Sequence, residues 1–422
     1  MGPLSQPMPI PGHRHGLLNY AGRSLLLLMF ISVVLPSGHI GPVNVKVLMF
    51  LIVLLLFVAA NPRSSRRVLL IVLALFIWVF LWAGIGIVNL GSPYLPFMQA
   101  KDLLVTITIS YLTYLAINNS AISPDAISKT VVYSAVGLGC FKIVLLCVSE
   151  YSSVPLYVLI GDLESFFRTQ IMTMKIIGGL YRYQVVGDLI SPIALYILIS
   201  SNKERLLSGH KTIYIVSFSI IIFSVFISYS RYIWFMSVIA ALLALLTRKG
   251  YALYFGGAIV VVGVGVIIGL DLSFIYKRIV SHAVEVSDNI RLTELHYLLS
   301  YFFKSPIIGH GLGAYVPHHI RDIHSKFSYE LQWVAFAMQT GVIGVSFLLF
   351  IMAVIARTFL MAGITREKLS LLILFILWIS SSLFNAYLAS SSSAVIFAFF
   401  ISEGFRIRIE NQVLLSHSVR RP

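Results

Sequence analysis

Four side chains stand out because each puts a charge at the edge of an apolar run. Arg231 follows Ser228, Tyr229 and Ser230 at a tight turn between two apolar stretches, and Arg182 lies in Tyr181-Arg182-Tyr183-Gln184, just ahead of a run carrying Asp188. Arg291 follows Ser287, Asp288 and Asn289, and Glu330 stands at the head of the apolar run that begins at Leu331. A guanidinium is a planar fork of donors matched to phosphate oxygens, so three of them near one membrane boundary would hold a diphosphate. A carboxylate entering a membrane segment is costly unless it has a task or a partner, and the task open to Glu330 is that of a general base. Each residue also has a plainer reading. Arg231 would be a snorkelling anchor, Arg182 an interfacial residue between two tyrosines, Arg291 the partner of Glu294 three residues on, and Glu330 a first-turn carboxylate complementing its own helix dipole.

The neighbours refine this picture. Ser287, Asp288 and Asn289 are good N-cap types, and Leu292, Leu295, Leu299 and Phe302 or Phe303 recur at helical spacing, so Arg291 is expected in the first turn of an amphipathic surface helix. A cation there opposes the macrodipole, which points to an anion to be bound. Tyr329 and Trp333 are the aromatic neighbours of Glu330, and His324, Asp188 and Glu294 are the alternative bases. His296, His310, His318, His319 and His324 have no ligand spacing, and the two cysteines, Cys140 and Cys147, share one apolar run, so neither a metal site nor a disulfide is expected. Gly309-His310-Gly311-Leu312-Gly313 lacks the strand and the Lys-Ser/Thr of a phosphate loop and reads as a flexible turn. Lys142, in the middle of an apolar run, needs a polar neighbour, for which Asp102 and Glu150 are the candidates.

The elements that must position these groups are membrane helices. Of 422 residues, 58% are hydrophobic and 11% charged, and the mean hydropathy is +0.92, values that no water-soluble core accommodates. About twelve apolar runs of spanning character follow one another from Leu25–Leu35 to Tyr387–Ile401, giving an all-α polytopic fold in one integral membrane domain, 1–422. Between the ninth run, Ala252–Leu270, and the tenth, Leu331–Ala356, lies a long polar segment, 271–330, expected to contain amphipathic helices; a smaller one covers 150–184. Arg63, Arg66 and Arg67, then Lys203, Arg205 and Lys211, Arg248 and Lys249, Arg357, Arg366 and Lys368, and Arg406 and Arg408 all fall on one side, which is cytoplasmic by the positive-inside rule, as are both termini. The net charge of +15 therefore reports orientation and requires no nucleic-acid partner. The start of the chain has no cleavable signal pattern, so the first helix is expected to direct insertion.

The succession Ser230-Arg231-Tyr-Ile-Trp234, Arg291-Leu-Thr-Glu294, Lys304-Ser305-Pro306-Ile-Ile-Gly309-His-Gly311-Leu-Gly313, Tyr329-Glu330-Leu331 and Gly341-Val-Ile-Gly344 resembles the O-antigen ligase and Wzy-type polysaccharide polymerase superfamily. The resemblance covers about Arg182 to Gly344. It implies a bacterial inner-membrane glycosyltransferase that moves a glycan from undecaprenyl diphosphate to a sugar hydroxyl on the periplasmic side, with no cofactor and no required metal, with Arg231 and Arg291 holding the diphosphate and with Tyr329 and Trp333 as surfaces on which a sugar would stack. Lipopolysaccharide ligases of this group usually carry a His-Asn pair where Glu330 stands here, so the resemblance favours a polymerase of O-antigen, capsule or exopolysaccharide repeats over a ligase acting on lipid A core. Partners implied are the lipid-linked oligosaccharide, the glycan acceptor, the bilayer, and flippase and chain-length regulator proteins. The competing class is a lipid-linked oligosaccharide flippase or transporter, which usually shows related halves and a charged midplane cavity.

The charge asymmetry predicts that cysteines placed at Ser287 or Ser325 react with an impermeant maleimide only from the periplasmic side; labelling only from the cytoplasm reverses the topology.

Overall fold

The computed structural model describes residues 12–40, 43–167, 171–177, 180–200, 211–247, 282–323, 325–360 and 365–419. Within these, thirteen α-helices dominate: α1 Gly12–Val34, α2 Val45–Ala60, α3 Arg66–Leu90, α4 Tyr94–Asn118, α5 Pro124–Ser152, α6 Leu156–Phe167, α7 Ile190–Ser200, α8 Lys211–Ser228, α9 Arg231–Thr247, α10 His282–Phe302, α11 Gln332–Leu360, α12 Arg366–Ser380 and α13 Ser391–Val419. Among the described residues, six helices are long and apolar enough to cross a membrane, and three shorter apolar helices accompany them. Their outer surfaces are apolar too: Leu51, Leu55 and Val58 of α2 and Leu73, Ile77 and Phe80 of α3 are exposed, an arrangement stable in lipid and not in water. The chain is thus a largely helical membrane protein. The ninth apolar run, 252–270, and the start of the long polar segment lie outside the described residues.

The helices end where the sequence supplies caps. Asn44 accepts the Val47 N–H at the start of α2, Ser123 accepts the Ala126 N–H at the start of α5 with Pro124 behind it, and Lys46 donates to the Ser32 and Leu35 carbonyls that α1 leaves unpaired. Inside, α12 and α13 interlock through aromatic rings, Trp378 on Phe397 at 4.6 Å and Phe375 on Phe400 at 4.9 Å. Arg406 ties α13 to α12 by pairing with Glu403 and Glu367, and Ser128 of α5 donates to Glu403.

Four departures from the expected layout stand out. The segment 150–184 is not an irregular loop: it carries α6 and an antiparallel hairpin, β3 Met172–Ile177 with β4 Leu180–Gln184, in which Arg182 faces Met174 across the ladder. A second, two-residue ribbon pairs His39–Ile40 (β1) with Val43–Asn44 (β2). The last apolar run is not a helix from Tyr387; residues 381–390 form a turn, and α13 begins at Ser391 and extends beyond Ile401.

The fourth departure is the glycine-rich stretch. Rather than a flexible turn, residues 305–314 are a strap wedged between α3, α4 and α11. Helix α11 breaks at Gly341 (φ 64, ψ −174), a backbone conformation essentially restricted to glycine. The strap takes over the hydrogen bonds the break releases: His310 and Gly311 N–H donate to the Met338 and Gln339 carbonyls (3.1 and 2.7 Å), and Val342 and Ile343 N–H donate to the Pro306 and Ile307 carbonyls (2.9 and 3.3 Å). Leu312 N–H bonds to the Trp82 carbonyl at 2.8 Å, the Trp82 indole to the Ile308 carbonyl at 2.7 Å, and Gly313 N–H to Gln99 Oε1 at 2.6 Å. Gln99 in turn donates to Gln339 at 2.8 Å. At Gly311 (φ 89) a Cβ would run into the backbone of Gly86, so two chain segments meet here with no side chain between them.

Gly341→Ala is expected to destabilise the protein by at least about 2 kcal/mol, because the new Cβ meets the Ile307 carbonyl and the φ is wrong for alanine. Gly84→Ala, in open space within α3, should be neutral or stabilising by roughly 0.5–1 kcal/mol. Thermal unfolding in detergent compares the two, and equal melting temperatures would remove the strap's assigned role.

Candidate functional site

The site is assembled at one end of the bundle, where β4, the α8–α9 turn, α10 and the start of α11 meet. Successive side chains on a strand point to opposite faces, and β4 uses both. Tyr183 is buried against Phe141 of α5, with the Lys142 ammonium 5.7 Å from its ring. Arg182 and Gln184 share the other face, where the guanidinium hydrogen-bonds Gln184 and Gln184 donates to the buried Tyr387 hydroxyl. Arg182 also donates from Nε to the Ser228 carbonyl at 3.2 Å, capping the C-terminus of α8. Tyr229 follows in the left-handed region (φ 48), and Arg231 opens α9 two residues later. Burial lowers the Arg182 pKa; nearby Tyr387, Glu330 and Asp188 oppose that shift while Arg291 reinforces it, so these groups are all within electrostatic reach of one another.

Beneath the hairpin, Lys142 and Asp188 form a fully buried ion pair at 2.6 Å. Lys142 donates also to the Ser224 carbonyl at 3.3 Å, and Asp188 accepts the Val185 N–H at 3.0 Å. The partner of Lys142 is therefore neither Asp102 nor Glu150. The packing of α5 on α7 and the short 3-10 turn before it brings in Asp188, 46 residues away. Asp188 is thereby committed to Lys142 and the backbone, an arrangement unsuited to an alternative base.

At the centre is Glu330. Arg291 donates from Nε to Glu330 Oε2 at 2.9 Å, and Arg321 hydrogen-bonds Oε1. Arg291 is not in a first helical turn: α10 is already helical from His282, so Arg291 lies in its interior and owes its place to the face packed toward α11. One turn on, Glu294 is wholly buried, and its Oε1 accepts the Leu331 N–H at 2.8 Å, capping the start of α11. Burial pushes the Glu294 pKa up against the Leu331 N–H and Arg321, and burial together with Arg321 pushes that of His319 down.

Of the two expected sugar platforms, Tyr329 is enclosed and Trp333 is partly exposed. Tyr329 is buried in a small cluster with Leu298, Ala314, Val316, Ala335 and Met338, and its hydroxyl accepts the Val316 N–H at 2.7 Å. Burial pushes its pKa up to about 12. Trp333 donates to the Ile379 carbonyl at 3.0 Å and packs edge-on against Phe336. His324 lies outside the described residues. Among those described, no group of three His, Cys, Asp or Glu side chains could hold a metal ion.

The structure thus brings Arg182, Arg291 and Glu330 into one cluster and places Arg231 at the turn that Arg182 caps. It adds Arg321 and Tyr387, which sequence reasoning missed as members, and it places Glu294, singled out there as a partner for Arg291, against Leu331 and Arg321. Arg321 sits in irregular chain nine residues before Glu330 with no periodic signal to mark it, and only the path of that chain brings its guanidinium onto the carboxylate. No protein-family model matches the chain, and a search of the curated proteins finds no match.

Lys142→Met leaves Asp188 buried without its cation and is expected to cost about 3–5 kcal/mol, whereas the double change Lys142→Met, Asp188→Leu should recover most of that loss. Melting temperatures of the two variants check this; a double variant as unstable as the single one would contradict it.

Proposed function

We propose that the chain is a membrane glycosyltransferase that moves a glycan from an undecaprenyl-diphosphate carrier to a sugar hydroxyl, most simply as a polymerase of polysaccharide repeat units. One observation carries the reading: a partly exposed carboxylate, Glu330, held between Arg291 and Arg321, with Arg182 close behind. Such a cluster is matched to an anion that competes with the carboxylate for the guanidinium donors. In the free protein Glu330 and the arginines neutralise one another. When a diphosphate takes the guanidiniums, the carboxylate is released beside it.

The reaction that follows is a single displacement. The acceptor O–H gives its proton to Glu330, its oxygen bonds to the anomeric carbon, and the bond from that carbon to the diphosphate oxygen breaks, the electron pair leaving with the diphosphate. The guanidiniums meet the charge that develops on the leaving group, and the configuration at the anomeric carbon inverts. The chemistry needs no metal. Arg231, one turn from the Arg182 cap, extends the same cationic rim.

The topology that goes with this reading has about twelve spans, both termini in the cytoplasm of a bacterial inner membrane, and 271–330 in the periplasm. Its support is the segregation of charge: Lys211 opens α8, whose other end Arg182 caps; Arg357 lies in the last turn of α11, whose start adjoins Glu330; and Arg366 opens α12, whose other end bonds Trp333.

Glu330→Gln should bind the lipid-linked donor and lose turnover by at least about a hundredfold. Arg291→Lys should also fail, because an ammonium is a point charge and not a fork. Consumption of undecaprenyl-diphosphate oligosaccharide by purified protein, with EDTA present and absent, is the measurement. Near-normal polymer from Glu330→Gln, retention of configuration, or loss of activity in EDTA with recovery on adding a divalent ion would overturn the reading.

A further inference from the structure

Glu294 is a second carboxylate in the cluster, and half of it is unused. Its side chain has no exposed surface. Oε1 accepts the Leu331 N–H, but Oε2 has no hydrogen-bond partner among the described residues. A buried polar atom left in that state is costly, more so when it is charged. The nearest donors are His319 Nε2 at 3.9 Å and Arg321 Nε at 3.8 Å. Arg321, meanwhile, is hydrogen-bonded to Glu330 through Nη2. One guanidinium therefore stands between two carboxylates, bonded to one and about 1 Å short of a charge-assisted hydrogen bond to the other.

We propose that Glu294 is a positioning residue that receives Arg321 when donor binds, drawing it off Glu330 and leaving the Glu330 carboxylate open to the acceptor hydroxyl. This rests on the transferase reading above. A guanidinium carries five N–H donors in a fixed fork, so Nε–H to Glu294 and Nη–H to a phosphate oxygen are compatible in one rotamer. The small displacement needed is available because Arg321 lies in irregular chain, with 29% of its side chain exposed, while Glu294 is fixed on α10 and by its bond to Leu331. The move satisfies the orphaned Oε2 and removes the cation that holds Glu330 in its resting pair. Arg291, the other partner of Glu330, is then taken by the donor itself.

The test is a double-mutant cycle on the full-length protein, reading kcat and the KM for undecaprenyl-diphosphate oligosaccharide. Glu294→Gln keeps the acceptor for Leu331 and loses the charge. It should lower kcat by about tenfold or more with KM within about twofold of wild type. In an Arg321→Gln background there is no guanidinium to move, so adding Glu294→Gln should change kcat by less than about twofold. An equal penalty in both backgrounds makes Glu294 a support for α11 and overturns the exchange, as does an unchanged kcat in the single variant. Should Glu294→Gln not fold, Arg321→Lys serves instead. A lysine's compact ammonium lacks the planar fork that reaches Glu294 through Nε–H and phosphate through Nη–H together, so kcat should fall, and wild-type kcat overturns the proposal. Wild-type protein that consumes no donor removes the transferase reading itself, and the exchange with it, whereas an active wild type with an inert Glu294 removes the exchange alone.

Discussion

A membrane helix interrupted partway along must find partners for the backbone groups the interruption releases, because lipid offers none. Helix α11 is such a helix, and much of the architecture follows from how Gly341 is accommodated. The Met338 and Gln339 carbonyls and the Val342 and Ile343 N–H groups would have bonded to each other in an unbroken helix. Instead each finds a counterpart on the 305–314 strap. The exchange is reciprocal, two donors and two acceptors on each side, so neither the break nor the strap is stable without the other. The strap in turn fixes where the chain resumes at Ala314, and hence how the 315–331 segment folds back to present Arg321 and Glu330 to α10.

The charged cluster depends on a similar reciprocity. Ionised side chains at a membrane boundary are tolerated when each is matched, and here the matching is graded by depth. The deepest pair, Lys142 with Asp188, is sealed and fully bonded. The shallower group around Glu330 is partly exposed and shares its partners, one arginine between two acids and one acid between two arginines. A sealed pair holds helices in place; a shared one can be rearranged by an incoming anion. The hairpin connects the two layers, with Tyr183 of β4 turned to Lys142 and Arg182 turned to the cluster.

The membrane class and most helix positions were legible in the sequence because apolar length and the placement of Arg and Lys report them directly. Arg182, Arg291 and Glu330 were legible as well, since a charge beside an apolar run is conspicuous. What failed were inferences from local rules alone. Ser287, Asp288 and Asn289 are cap residues by type, yet the helix runs through them, since their small propensity cost is outweighed by packing along α10. Glycines at alternate positions signal mobility when read locally, whereas here they permit backbone to meet backbone. Lys142 announced its need for a carboxylate but not which one, because that choice belongs to helix packing. Tyr329 looks like a platform beside a carboxylate, and only the three-dimensional structure shows that it is enclosed.

The strap also sets an order of events in biogenesis. The Trp82 indole and the Ile308 carbonyl are 226 residues apart in the chain, and the strap's remaining partners, Met338 to Ile343, are synthesised after it. Through most of translation, therefore, α3 and α4 stand in the bilayer beside an empty slot, with Gly86 and Gln99 facing it. Only when the strap has been made can the slot be filled, and only when the first turns of α11 follow are the strap's own backbone bonds to Met338–Ile343 completed. The charged cluster around Glu330, which follows the strap in the chain, can form no earlier, so a chain cut short anywhere before that point carries the helices without the cluster.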